Sequence, residues 1–252
     1  MDSELVHLTV DGAIATITLD SPRNRNALSI QLVTELAERL RAAEADASVR
    51  AVVLGHTGTT FCAGADLSET RSGSMSGTAS ALLALIRAII DLPKPVIAKI
   101  DGNARAGGVG LIAACDIAVA GPRCTFALTE VRLGLAPVVI SVAVLARIGE
   151  RAAARYYLTG ESFDSSEALR IGLVTIAAAD VDEAVTAVAT QLHLGSPQGL
   201  AESKRLTTAK MREVIDRDGE SMVELSARLF ASEEAHEGMV AFLERRPPRW
   251  VR

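Results

Sequence analysis

The sequence is short of several residue types, and each shortage argues against a class of protein. Aromatic residues make up only 3% of the 252 residues, and the whole chain contains only three cysteines. Cys62, Cys115 and Cys124 have no metal-ligand spacing, so we expect buried, reduced thiols rather than disulfides or a metal site. The formal net charge is −5 and no lysine- or arginine-rich run is present. We therefore expect no nucleic-acid partner.

Long apolar runs are also missing. The longest, from Leu135 to Ala146, contains Pro137 and Ser141 and is too short to cross a bilayer. The N-terminal residues 1–4 are acidic and do not resemble a signal peptide. These features predict a cytoplasmic protein without a membrane partner.

Apolar residues are nevertheless abundant, at 49% of the chain, and their arrangement predicts the fold class. Two strand-like runs are joined at Asp11-Gly12, which is typical of a hairpin. Ser29 is placed to cap a helix that continues to about Ala45. The Ser- and Gly-rich stretch Arg71–Ser80 predicts a mobile loop. The repeated order of strand, loop and helix predicts an α/β fold.

The second half of the chain has a different character, because helical patterns dominate from Val138 to the end. No linker is long enough to separate two independent domains. We therefore predict a core at 1–195 and a C-terminal helical region at 196–252, which together form one structural unit.

Two segments of small residues carry the strongest functional signal. Ala63-Gly64-Ala65-Asp66 and Ala106-Gly107-Gly108-Val109-Gly110 each follow a strand-like run. Small side chains let the backbone approach a ligand closely and direct its N–H groups at it. Two such segments that converge on one oxygen would form an oxyanion hole, which stabilises negative charge developing on a carbonyl.

Further motifs extend this signal over residues 5–250, essentially the whole chain. They are Phe61–Leu67, Pro93–Ala98, Gly107-Gly108 followed by Cys115-Asp116, and Glu237–Arg246. With these motifs the chain resembles the crotonase (enoyl-CoA hydratase/isomerase) superfamily. The resemblance implies a crotonase-like ββα spiral core and a C-terminal helical trimerisation region. It also implies a homotrimer or hexamer that acts on an acyl-CoA thioester, with no cofactor beyond the CoA of the substrate.

The resemblance also assigns the site residues. Its two oxyanion N–H groups fall on Ala65 and Gly107, and its acid–base carboxylate falls on Glu130. The implied contacts with the CoA thioester are Arg23, Ala63, Ala65, Asp66, Leu67, Gly107 and Gly110.

Gly110 departs from the pattern of typical hydratases of the superfamily, which carry a first glutamate at this position. A single base is enough for a Δ3,Δ2-enoyl-CoA isomerase, because that base can remove a proton and return it elsewhere. However, Gly107–Leu111 together with Thr129–Leu135 look most like hydratases acting on branched-chain or methylglutaconyl-type CoA esters. We therefore predict an enoyl-CoA hydratase-type lyase with a single glutamate base. The isomerase and a non-catalytic acyl-CoA-binding protein are the alternatives.

Overall fold

A computed structural model describes residues 4–67, 69 and 75–251, which fold around two β-sheets. Most neighbouring strands are parallel, as the predicted α/β class requires. The strands are β1 (Val6–Asp11), β2 (Ile14–Leu19), β3 (Ala51–His56), β4 (Thr60–Cys62), β5 (Val96–Ile100), β6 (Asn103–Arg105), β7 (Ile117–Ala120), β8 (Thr125–Ala127), β9 (Phe163–Asp164) and β10 (Ile176–Ala177).

The larger sheet has the strand order β1-β2-β3-β5-β7-β10. The antiparallel β1–β2 hairpin turns at Gly12, whose φ of +55° lies in the left-handed region that glycine adopts readily. On β2, Ala15, Ile17 and Leu19 are fully buried, whereas the alternate residues are not. This period of two fixes the face of the hairpin that packs on the core.

The smaller sheet has the order β4-β6-β8-β9, and its first three strands are parallel. It changes one detail of the sequence prediction. The two small-residue segments follow β4 and β6 directly, rather than the longer strands β3 and β5. Strands of three residues are too short to show an alternating pattern, so they become visible only through their neighbours in the sheet.

Ten α-helices pack around these sheets in the described part of the chain. The first begins after Ser29, whose Oγ accepts a hydrogen bond from the Leu32 N–H at 3.2 Å, as the predicted cap requires. The helices are α1 (Ile30–Ala45), α2 (Met75–Asp91), α3 (Gly107–Ala114), α4 (Ser141–Arg147), α5 (Glu150–Thr159), α6 (Ser165–Ile171), α7 (Val181–His193), α8 (Pro197–Thr207), α9 (Ala209–Phe230) and α10 (Glu233–Leu243).

Helix α2 corrects the loop predicted at Arg71–Ser80. Residues 71–74 lie outside the described residues, but the helix begins at Met75, before the predicted loop ends. Ala79 is 6% exposed and belongs to the core. Burial of this side chain stabilises helix in a stretch whose Ser- and Gly-rich composition does not favour it.

The C-terminal helices are attached to the core, with α9 packed against α2 and α4. The buried Lys204 on α8 forms an ion pair with Asp116 at 2.8 Å and donates to the Ile89 carbonyl at 2.8 Å. Asp116 also accepts from the Val96 N–H at 2.8 Å, which joins α8 to the start of β5. None of the helices in the described ranges is long and apolar enough to cross a membrane.

Candidate active site

Three neighbouring parallel strands lead to the three predicted catalytic residues. Ala65 lies three residues after β4, Gly107 two residues after β6, and Glu130 three residues after β8. Because β4, β6 and β8 run side by side in the same direction, their carboxyl ends meet at one edge of the sheet. This is the edge of parallel sheets at which ligands commonly bind.

The N–H of Ala65 points away from Leu28, with which Ala65 forms an isolated parallel bridge. The Gly64 carbonyl accepts a hydrogen bond from the Leu28 N–H at 2.8 Å. This carbonyl and the Ala65 N–H belong to the same peptide, and in a trans peptide the two groups point in opposite directions. The Ala65 N–H is therefore not used in the pairing with Leu28.

The same argument applies to the N–H of Gly107 at the start of α3. The Ala106 carbonyl points along the helix and accepts from the N–H groups of Val109 at 2.9 Å and Gly110 at 3.2 Å. The Gly107 N–H, in the same peptide, therefore points back out of the helix. The first N–H groups of a helix have no partner within it and carry partial positive charge, so this group suits an anionic oxygen.

The two small-residue segments touch each other. A Cβ atom placed on Gly64, whose φ is +90°, would lie 2.9 Å from the Ala106 Cβ and 3.5 Å from the Gly107 nitrogen. Glycine is therefore required at position 64 both by its conformation and by the close approach. Ala106 has φ +47° and ψ −118°, a strained conformation for a residue with a Cβ.

Glu130 begins a short 3₁₀-helix that ends at Leu133. Its Oε2 atom is buried and has no hydrogen-bond partner in the described part of the chain. Burial raises the pKa of Glu130 to about 7, opposed in part by a hydrogen bond from its own backbone N–H. A carboxyl group with this pKa can both accept and donate a proton near neutral pH.

One cavity of about 740 Å³ brings these residues together. Its walls are formed largely by aliphatic side chains, among them Leu82, Leu135 and Ile140. It is also lined by Glu130 and by six of the seven predicted thioester contacts: Arg23, Ala63, Ala65, Asp66, Leu67 and Gly107.

Gly110 is the predicted contact that does not line this cavity. It is buried in α3 beneath Ile140, and a Cβ on Gly110 would lie 2.3 Å from the Ile140 Cγ2 and 2.7 Å from its Cβ. Ile140 lines the cavity in its place. An aliphatic side chain thus occupies the space in which a side chain at position 110 would lie.

Asn24, which the sequence does not mark as a site residue, also lines the cavity, beside Arg23 and Arg25. Its Nδ2 donates to the Asp66 Oδ2 at 3.3 Å, while its buried Oδ1 has no partner among the described residues. Beside it, the fully buried Asn26 accepts from the Ser21 N–H at 2.7 Å and donates to the carbonyl of Thr60, the first residue of β4, at 2.8 Å. No local pattern in the sequence marks these contacts.

The C-terminal segment reaches the far side of the cavity. Arg246 lines it and forms hydrogen bonds with Glu237 at 2.7 and 3.2 Å, and Arg249 pairs with the same carboxylate at 3.3 Å. These arginines hold the pKa of Glu237 at about 2, well below its ordinary value. These ion pairs hold residues 246–249 against α10.

The three cysteines are buried away from solvent. Cys62, Cys115 and Cys124 are buried free thiols, as the sequence predicts, and burial raises the pKa of Cys62 and of Cys115 to about 12. The residues that the structure describes contain no group of three or more His, Cys, Asp or Glu side chains that could hold a metal ion.

Comparison with known proteins identifies the family. Residues 9–252 match the model of the enoyl-CoA hydratase/isomerase family. The chain belongs to this family. The fold is similar to a crystal structure of an enoyl-CoA hydratase from Mycobacterium avium, with a TM-score of 0.93 and 56% identity over 99% of this chain and 100% of that one. The assignment to the crotonase superfamily and its fold is therefore confirmed.

Curated relatives of the family point the same way. The chain is 36% identical over 257 aligned positions to a Bacillus subtilis protein named probable enoyl-CoA hydratase, covering 97% of this chain and 98% of the relative. It is 32% identical over 266 positions to the mevalonyl-coenzyme A hydratase sidH of Aspergillus fumigatus, covering 97% and 96%. These names support the assignment to the hydratases.

Proposed function

We propose that this protein is an enoyl-CoA hydratase-type lyase that adds water across the 2,3-double bond of an enoyl-CoA thioester. The observation that carries the proposal is the convergence of Ala65, Gly107 and Glu130 on one cavity from three adjacent strand ends. Family membership and the hydratase names of the relatives support a CoA-thioester substrate.

The proposed oxyanion hole consists of the N–H groups of Ala65 and Gly107. The thioester carbonyl oxygen accepts a hydrogen bond from each, and the negative charge that develops on this oxygen in the enolate is stabilised there. Fixed donors of this kind are effective because they need no reorganisation during the reaction. The peptide orientations set by the Gly64 and Ala106 carbonyls support this role.

Glu130 is the proposed base and acid. Its ionised carboxylate removes a proton from water while the water oxygen bonds to C3, and the electrons of the double bond move toward the thioester to form the enolate. The protonated Glu130 then delivers a proton to C2, which gives the 3-hydroxyacyl-CoA and regenerates the carboxylate. A pKa of about 7 favours both steps near neutral pH.

The rim and the walls of the cavity suit different parts of the proposed substrate. Arg23 and Arg25 are exposed at the rim, where their guanidinium groups suit the phosphates of CoA. The aliphatic walls suit an apolar acyl chain. The reaction needs no cofactor beyond the CoA of the substrate, and a homotrimer or hexamer in the cytoplasm remains our prediction for the assembly.

A Δ3,Δ2-enoyl-CoA isomerase is the second candidate, and one observation favours it. Ile140 occupies the space next to Gly110, so a second carboxylate is not available there. In this reaction Glu130 would remove a proton from C2 of a 3-enoyl thioester and return it to C4. Both candidates use the same oxyanion hole and the same carboxylate.

Mass spectrometry of the products separates the candidates. The purified protein is incubated separately with 2-enoyl-CoA and 3-enoyl-CoA esters, including branched chains. The hydratase adds one water to the 2-enoyl esters, whereas the isomerase converts 3-enoyl to 2-enoyl esters without a change of mass. Tight binding of the esters without either product would instead indicate a non-catalytic acyl-CoA-binding protein.

Replacement of Glu130 tests the proposed base. Glu130→Gln removes the proton-transfer group with little change of shape, so we expect turnover to fall by about 10²–10⁴-fold. Glu150→Gln, an exposed glutamate in the first turn of α5, is the matched control and is expected to keep full activity. Full turnover of Glu130→Gln would exclude the proposed mechanism.

A further inference from the structure

The contact between Gly110 and Ile140 has a consequence for the choice of substrate. A Cβ on Gly110 would lie only 2.3 Å from the Ile140 Cγ2, so the isoleucine packs directly against the backbone of α3. Ile140 is 2% exposed and also lines the cavity. The same side chain therefore closes the core on one side and faces the cavity on the other.

The helix geometry places this side chain near the reacting carbons. Gly107 and Gly110 are three residues apart on α3, so they lie on one face of the helix about 4.5 Å apart along its axis. In the proposed mechanism the water activated by Glu130 bonds to C3, so C3 must lie near Glu130 in the cavity that Gly107 and Ile140 also line, and we place its substituents beside Gly110. Ile140 covers Gly110, while Leu28 and Leu82 cover Gly107, with their Cδ atoms 2.7 and 3.6 Å from a Cβ placed there.

Hydrogen bonds hold the turn that carries Ile140. Ser141 Oγ donates to the Pro137 carbonyl at 2.6 Å, and the Tyr157 hydroxyl donates to Ser141 Oγ at 3.3 Å. The Ile140 carbonyl accepts from the N–H groups of Ala143 and Val144 at 3.1 and 3.0 Å. The turn that carries Ile140 is thus held by hydrogen bonds on both sides of this residue.

We propose that Ile140 is a specificity-determining residue that limits the bulk of the substituent at C3 of the acyl chain. This inference rests on the proposed function, because it places the thioester oxygen at the Gly107 N–H. The wild-type protein then prefers straight 2-enoyl chains over the branched-chain or methylglutaconyl-type esters that the resemblance suggests, because substituents at C3 meet the Ile140 side chain.

The test compares crotonyl-CoA with 3-methylcrotonyl-CoA, which differ by one methyl group at C3. Ile140→Val removes one methyl from the wall, and we expect the ratio of kcat/KM for the branched over the straight ester to rise about 10-fold. Ile140→Ala should raise it further. Ile148→Val, the same substitution in a buried residue at the other end of α4 that does not line the cavity, should leave the ratio unchanged.

Binding measurements keep this test separate from the hydration test. The Kd values of butyryl-CoA and 3-methylbutyryl-CoA report the same discrimination without turnover. If no variant hydrates either ester but Ile140→Val shifts the Kd ratio, the proposed function fails and Ile140 still forms the wall. If Ile140→Ala does not fold, Ile140→Val and Ile140→Leu carry the test. Unchanged ratios in folded variants at position 140 would overturn the proposal.

Discussion

The two halves of the candidate site are built by different means. The backbone half consists of the Ala65 and Gly107 peptides, whose directions are set by hydrogen bonds of the neighbouring carbonyls. The side-chain half consists of Glu130 and Ile140, whose properties come from burial. We therefore expect any added side-chain atom in the two small-residue segments to lower activity. At Glu130 and Ile140 we expect the effect on activity to depend on which residue replaces them.

After the loss expected for Glu130→Gln, the largest expected effect on turnover concerns the backbone half. Gly64→Ala places a Cβ 2.9 Å from the Ala106 Cβ and 3.2 Å from the Arg105 carbonyl oxygen. The Gly64–Ala65 peptide must move, which displaces one proposed oxyanion donor, and loss of such a donor costs about 10²–10³-fold in kcat. Steady-state kinetics of hydration on crotonyl-CoA measures this loss.

Gly12→Ala is the matched control for Gly64→Ala. Gly12 also has a positive φ, of +55°, but a Cβ there would meet nothing within 4 Å. This variant should lose about 1–2 kcal/mol of unfolding free energy from backbone strain alone and keep its activity. Equal kcat values for the two variants would show that the Gly64 segment takes no part in the reaction.

The next effect concerns the cost of burying Glu130. Its pKa rises from an ordinary 4.5 to about 7 in the folded protein, so ionisation opposes folding by up to about 3 kcal/mol. The folded state binds the Glu130 proton more tightly than the unfolded state does. The unfolding free energy of the wild-type protein therefore falls by this amount as the pH rises from 4.5 to above 7. Glu130→Gln does not ionise and should be the more stable protein at pH 8.

Chemical denaturation at several pH values measures this difference. The unfolding free energy of Glu130→Gln minus that of the wild type should increase between pH 4 and pH 8, by up to about 3 kcal/mol. Glu150→Gln, which changes an exposed carboxylate, serves as the control with no such trend. A difference that stays constant with pH would contradict the raised pKa of Glu130.

A smaller effect tests the contact of Ile140 with α3, the helix that begins at Gly107. Gly110→Ala forces a Cβ into Ile140 and should cost about 1–3 kcal/mol of unfolding free energy. In an Ile140→Ala background the same change should cost less, because the contact with Cγ2 at 2.3 Å is removed while the contact with the Cβ of residue 140 at 2.7 Å remains. Gly77→Ala, a helical glycine of α2 with nothing within 4 Å of its Cβ, should instead stabilise by up to about 1 kcal/mol.

The unfolding free energies of the wild type, Gly110→Ala, Ile140→Ala and the double variant give the coupling energy between positions 110 and 140. Residues in direct contact give interaction energies of about 0.5–3 kcal/mol. Additive effects of Gly110→Ala and Ile140→Ala would show that the isoleucine does not fill the space beside the glycine.

The comparison also explains how far the sequence predicts the structure. Elements with local signals are predicted well: the turn at Asp11-Gly12 and the cap at Ser29. The strands β4 and β6 are missed because three residues carry no period. The early start of α2 is missed because packing of Ala79, rather than composition, stabilises it.

The same division holds within the candidate site. Small residues at 64 and 107 reveal the backbone half, because close approach of the chain requires them. The resemblance to the crotonase superfamily points to Glu130, but its raised pKa depends on burial that the sequence does not display. Ile140 lies thirty residues from Gly110, and no local pattern links two positions that meet only in the folded chain.

The smallest expected effect concerns the strained residue between the two halves. Ala106 has φ +47° and ψ −118°, which costs about 1–3 kcal/mol for a residue with a Cβ. Ala106→Gly removes this strain but adds about 0.5–1 kcal/mol of unfolded-state entropy, so we expect a gain of about 1 kcal/mol in unfolding free energy. Ala154→Gly, in an exposed position of α5, should instead lose about 1 kcal/mol.

The activity of Ala106→Gly tests whether the strain helps to orient the Gly107 N–H. If the alanine restricts the peptide that carries the Gly107 N–H, the more stable glycine variant should turn over substrate several-fold more slowly, because the donor is less firmly held. Thermal denaturation and steady-state kinetics on one preparation measure both quantities. A variant that is less stable than the wild type would show that the backbone at position 106 is not strained. A gain of stability with unchanged kcat would show that the strain has no part in orienting the oxyanion donor.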